Sequence, residues 1–181
     1  MLQKVEFGFY VNRQIERMCY VNFKPNYFII PSIAILVSTL GRHFTAQGMT
    51  WYQTLQVPWF VPPAWFFGIV WTIIFSLTTA AAVIVWNGFS FARSHSKIMA
   101  VFFVNALLNV LWTYIFFVQQ NIGLALVDAL ALEISVLLLI AFIWPLSRSV
   151  AYLLVPYAVW VAFACYLNYI IWMMNYTLNL T

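Results

Sequence analysis

The chain has 181 residues, 65% of them hydrophobic, 20% aromatic and only 7% charged, and its mean hydropathy is +0.93. A soluble domain carries about one quarter charged residues, so this composition excludes a water-exposed globule and makes lipid the solvent for most of the surface. The 8 Lys and Arg against 4 Asp and Glu are scattered rather than clustered, which excludes a basic patch for nucleic acid.

Residues 1–26 read as an N-terminal cytoplasmic tail. Lys4, Glu6, Arg13, Glu16, Arg17 and Lys24 interrupt its apolar residues, so no clean signal-peptide core precedes a small-residue cleavage site. A flexible tail and an amphipathic helix on an anionic leaflet both fit this pattern. Cys19 and Cys165 lie far apart, show no metal spacing and read as free thiols.

A membrane-spanning helix needs roughly 20 apolar residues. Five stretches qualify, at about Tyr27 to His43, Pro62 to Asn87, Lys97 to Val118, Asn121 to Trp144 and Ser149 to Met174. The expected fold is therefore an all-α membrane protein, a five-helix bundle over residues 27–175, with a short tail at 176–181. Pro62 and Pro63 suit the start of the second helix, where the first N–H groups lack partners anyway. Pro156 is expected to remove a hydrogen bond inside the fifth helix and bend it.

The long first connection opens the stretch from Trp51 to Trp71, WYQTLQVPWFVPPAWFFGIVW, which carries four of the nine tryptophans and no charge. The other connections are short. Seven basic residues (Lys4, Arg13, Arg17, Lys24, Arg93, Lys97 and Arg148) fall on the side of the N-terminus and only Arg42 on the other. The positive-inside rule then puts the N-terminus in the cytoplasm and the Trp51 loop and the C-terminus on the far side. The N-x-T matches at Asn175 and Asn179 would face outward, though such short matches are common by chance.

Polar residues at membrane depth cost a few kcal/mol when they face lipid, so they are expected to face protein, water or a ligand. Asn105, Asn109 and Trp112 fall at i, i+4 and i+7 on one face of the third helix. Ligand contact and interhelical hydrogen bonding are both open for the two asparagines. Asp128 and Glu133 of the fourth helix are five apart and diverge by about 140°, so they form no ready acid/base pair. Asp128 is near enough to the far surface to cap or bond a neighbouring helix; for Glu133, protonation by desolvation, a bond inside the bundle and a subunit contact are all open. Trp71, Phe75 and Thr78 share a face of the second helix, and Trp160, Ala164 and Leu167 share one of the fifth. Trp51, Trp59, Trp65, Trp144 and Trp172 fit interfacial anchoring; Trp71, Trp112 and Trp160 lie deeper. His43 and His95 have no carboxylate or nucleophile at a useful spacing, and no metal site is expected.

Trp51-Tyr52-Gln53-Thr54-Leu55, Pro58, Pro62-Pro63, Trp65, Gly68 and Trp71 together resemble the tryptophan-rich sensory protein/translocator protein family. So do Asn105-x-x-x-Asn109-x-x-Trp112, Ala125-Leu126-Val127-Asp128 and the run from Pro156-Tyr157 to Asn168-Tyr169. The resemblance covers about Pro31 to Asn175. It implies a five-helix membrane bundle, often dimeric, with the first loop capping a pocket for porphyrins (protoporphyrin IX or heme-like) and aromatic drugs; the expected location is a bacterial inner membrane. The matching pocket positions are Tyr52, Trp71, Phe75, Asn105, Asn109, Trp112, Asp128, Trp160, Ala164 and Leu167. No cofactor is required. The resemblance implies binding and sensing or moving tetrapyrroles, or light-dependent porphyrin breakdown through Trp71 and Trp160; a scaffold acting through protein partners, with the aromatics as packing only, is the alternative left open by the residues themselves.

The chain departs from the family pattern at three places. Pro58-Trp59-Phe60 replaces Pro-Ser-Trp, and Ile69 follows the motif glycine. Leu167 and Tyr169 are followed by no Lys or Arg, so sterol binding through the animal cholesterol motif is not expected.

Overall fold

A computed structural model describes residues 25–176. The tail before residue 25, with Cys19, and the sequon at Asn179 lie outside the described residues. The regular elements among the described residues are all helices: α1 (Asn26–Tyr52), α2 (Ala64–Gly88), α3 (His95–Thr113), α4 (Ile122–Ile143), α5 (Arg148–Tyr152) and α6 (Val155–Tyr176). A π-helical turn, Tyr114–Val118, continues α3. Counting α3 with that turn and α5 with α6, five segments are long and apolar enough to cross a membrane.

The distribution of polarity shows which solvent surrounds them. Large apolar side chains point outward, among them Ile35, Phe103, Val127, Ile134 and Val159, while Asn105, Asn109, Asp128, Ser135 and Asn168 are buried. Hydrocarbon outside rewards that inversion, because amides and hydroxyls find partners only in the interior. α4 is the central strut and packs most extensively on α3 and α6. Small residues let it approach its neighbours, with Ala125 and Ala129 buried and Gly123 facing the Trp172 indole.

Two boundaries differ from the sequence reading. The first helix does not stop near His43 but runs on to Tyr52, so Trp51 and Tyr52 are helical and the connecting loop begins at Gln53. Polar Arg42, His43, Thr45 and Gln47 suggest an end, but packing overrides them. Gly48 lies so close to the π-turn that a β-carbon there would overlap the backbone of Phe117. Secondly, Pro156 does not bend a continuous fifth helix. The chain breaks into α5 and α6 at Leu153 and Leu154, and Pro156 occupies the opening turn of α6, where its missing N–H leaves no bond unmade.

The turn between α3 and α4 is tight. Gln120 adopts φ 56°, and the Asn121 N–H reaches back to the Ile115 carbonyl at 3.1 Å. That is the left-handed closure common at helix C-termini. Asn121 then caps α4 by accepting the Leu124 N–H at 2.9 Å.

Candidate functional site

The central feature is a polar network among α3, α4 and α6. Asn105 Nδ2 donates to Ser135 Oγ at 2.8 Å, and Ser135 Oγ donates to the Leu132 carbonyl at 2.7 Å. Tyr157 OH donates to Asn105 Oδ1 at 3.1 Å and accepts from Asn109 Nδ2 at 3.2 Å. Both asparagines thus bond between helices. One turn outward from Asn109, Trp112 Nε1 donates to Asn168 Oδ1 at 3.2 Å, and Asn168 Nδ2 donates to the Ile122 carbonyl at 2.9 Å.

Aromatic rings surround this network. Trp71 stacks on Phe75 with centroids 5.4 Å apart and meets Tyr157 edge-on at 6.1 Å. Trp160 is packed by Phe66, Phe67 and Phe163. Trp71, Trp112 and Trp160, from three different helices, all pack against one buried cluster that includes Ile74, Leu132, Tyr157 and Val161. Trp112 also stacks on Phe116 at 5.2 Å and so joins a second cluster, where Trp51, Tyr52 and Leu55 close over Phe116, Phe117 and Ala125.

Most of the sequence-predicted residues therefore share this interior. Tyr52 is half-buried against Phe116 and Phe117. Ala164 is half-buried and Leu167 buried on α6. Thr78 Oγ1 is buried and has no hydrogen-bond partner among the described residues. Asp128 is 7% exposed, and its Oδ2 has no hydrogen-bond partner among the described residues, so the helix-bonding role open to it in the sequence is not filled there by that oxygen. Glu133 is half-buried, one helical turn from buried Ala129 and Val136, with Oε2 unpartnered; nothing in the structure explains it. Of the expected interfacial tryptophans, Trp59, Trp65 and Trp144 are exposed, whereas Trp51 packs inward on Phe116 at 5.7 Å.

Sequence reasoning missed Tyr157, Ser135 and Asn168 as site residues. Tyr157 and Asn168 are three helical turns apart on one face of α6, a spacing that could have revealed them. No group of three or more His, Cys, Asp or Glu among the described residues is arranged to hold a metal ion.

The loop after α1 is fastened to the end of α6. The Gln56 N–H donates to Asn175 Oδ1 at 3.0 Å, and Asn175 Nδ2 donates to the Gln56 carbonyl at 2.9 Å. Phe60 stacks on Tyr166 at 6.1 Å, and Pro58 is buried.

Five long apolar helices with a buried amide and aromatic interior define a multi-pass integral membrane protein. The sequence model of the TspO/MBR family matches residues 29–173, and the chain belongs to that family. It is 40% identical over 146 residues to the tryptophan-rich protein TspO of Archaeoglobus fulgidus, covering 79% of this chain and 93% of the relative. It is 34% identical over 149 residues to the protein of the same name in Bacillus cereus, covering 80% and 96%. Against the human translocator protein it is 31% identical over 149 residues, covering 82% and 87%.

Proposed function

We propose that this chain is a membrane receptor for flat, apolar tetrapyrroles (porphyrins such as protoporphyrin IX) and for drug-like aromatics. The ligand would sit among α2, α3 and α6 beneath the Gln53–Pro63 loop. One observation carries the reading: Trp71 and Asn105 meet on the same side chain, Tyr157. A macrocycle is broad and apolar with polar edges. Indole faces suit its plane, and amide or hydroxyl groups suit its rim. The relatives' name, translocator protein, is the reason to propose that the ligand is also moved or delivered. We further propose that two copies pair in a bacterial inner membrane, with the N-terminus cytoplasmic as the basic residues suggest.

The test is a protoporphyrin IX titration of the purified protein, following tryptophan quenching. Trp71→Ala combined with Trp160→Ala is expected to weaken binding at least about tenfold, the scale of losing buried aromatic contacts. Unchanged affinity would sink the proposed pocket.

A further inference from the structure

Two buried polar atoms lie between the Tyr157 network and the loop, and neither has a hydrogen-bond partner among the described residues. Asp128 Oδ2 is one and Trp160 Nε1 is the other. Their levels follow from the helix register. Asp128 stands two turns outward along α4 from Ser135, and Trp160 stands about one turn outward along α6 from Tyr157. Ser135 and Tyr157 are joined through Asn105, so they mark one depth. Asp128 is also one turn from Ala125, in the cluster under Trp51 and Tyr52, and one turn from Leu132, in the cluster that packs Trp160. Trp112, at the depth of Asp128, has already given its N–H to Asn168.

A carboxylate oxygen buried without a donor is costly in any protein and more so where no water competes. The described cations, Arg42, Arg93, Lys97 and Arg148, are all exposed to the surroundings of the bundle, so none is buried with Asp128 to offset it. No side chain among the described residues supplies the missing partner, which leaves a place for a ligand's donor.

We propose that Asp128 is the selectivity residue of the site. It accepts from ligands whose edge carries a protonated amine or an N–H, and it disfavours ligands whose edge carries carboxylates. Trp160 Nε1 is the matching donor for an acceptor on the same ligand. This inference rests on the receptor reading above and narrows it from flat aromatics in general to those with a donor-bearing edge. The reason is the asymmetry of buried polar recognition: a ligand lacking the donor leaves Asp128 unpaired, and an anionic edge adds repulsion.

The experiment uses the full chain in zwitterionic phosphatidylcholine nanodiscs, with empty nanodiscs as the blank. Three forms of one macrocycle are titrated: protoporphyrin IX, its neutral dimethyl ester, and its diamide with ethylenediamine, which carries two ammonium groups. The expected ranking in wild type is diamide, then ester, then diacid, with about tenfold between neighbours. In Asp128→Asn the three affinities should converge to within about twofold. Asp128→Ser serves as a second charge-removing variant. A flat or reversed ranking in wild type overturns the inference and needs no variant. A ranking that persists in the folded variants overturns it too. Either result leaves the receptor reading standing, whereas binding of none of the three overturns both.

Discussion

Gln56 and Asn175 stand 119 positions apart and exchange two hydrogen bonds, at 3.0 and 2.9 Å. The Asn175 amide completes the backbone of Gln56 as a second strand would, and it also donates to the Ile171 carbonyl of its own helix at 2.7 Å. The first loop is therefore hydrogen-bonded to the final span through the Asn175 side chain, beside the stacking of Phe60 on Tyr166.

Replacing Asn175 by Asp keeps the acceptor for the Gln56 N–H but removes the donor for its carbonyl. The expected outcome is a loosened loop, with faster amide hydrogen exchange across residues 53–63 and a stability loss of about 1 kcal/mol. Exchange unchanged from wild type would show that Phe60 on Tyr166 holds the loop alone. The same bonds bear on the sequon at Asn175, because a glycan on Nδ2 would cost that nitrogen a hydrogen.

Tyr157→Phe deletes the hydroxyl that bonds both Asn105 and Asn109. Two buried amide groups lose a partner with little change in shape, so a loss of about 1–2 kcal/mol is expected. Thermal unfolding in detergent would measure it. Adding Asn105→Leu to Tyr157→Phe should cost less than the sum of the two single changes, because the groups form one network.

Gly48→Ala tests the crossing of α1 with the π-turn. A methyl group there overlaps the Phe117 backbone, which cannot rotate aside as a side chain can. Overpacking of this kind costs about 1–3 kcal/mol. Gly68→Ala is the control, because nothing lies within 4 Å of a β-carbon at that position, and that change should be neutral or slightly stabilising.

Gln120 sits at φ 56° without being glycine. Gln120→Gly should relieve the left-handed conformation and raise stability by up to about 1 kcal/mol, read as a higher melting temperature. A decrease would mean that the entropy added to the unfolded chain outweighs the relief.

The number of spans and their approximate limits were legible because long apolar runs are a composition signal, independent of packing. Asn105, Asn109 and Trp112 were legible for a related reason: polar atoms at that depth must have a destination. Their destinations were not legible. The Tyr157 hydroxyl and Ser135 look unremarkable in sequence, and only the register of α4 and α6 brings them to Asn105. The end of α1 was not legible because local polarity at Arg42 and His43 resembles a terminus, while the contact that extends the helix joins Gly48 to Phe117, 69 residues further on. Asp128 was visible as an anomaly, but its unpartnered oxygen became apparent only with the surrounding helices in place.

The interior bonds also bear on how the protein is made. Asn109 and Trp112 emerge from the ribosome early, yet the groups they bond, Tyr157 and Asn168, belong to the last helix to be synthesised. Until that helix enters the bilayer, the earlier four must wait with those amide and indole groups unmatched in a medium that offers no substitute. The insertion machinery, or a companion lipid or chaperone, would have to shelter them. Truncated or stalled chains ending before residue 157 should accordingly be retained by that machinery and degraded, even though every span they contain is hydrophobic enough to insert.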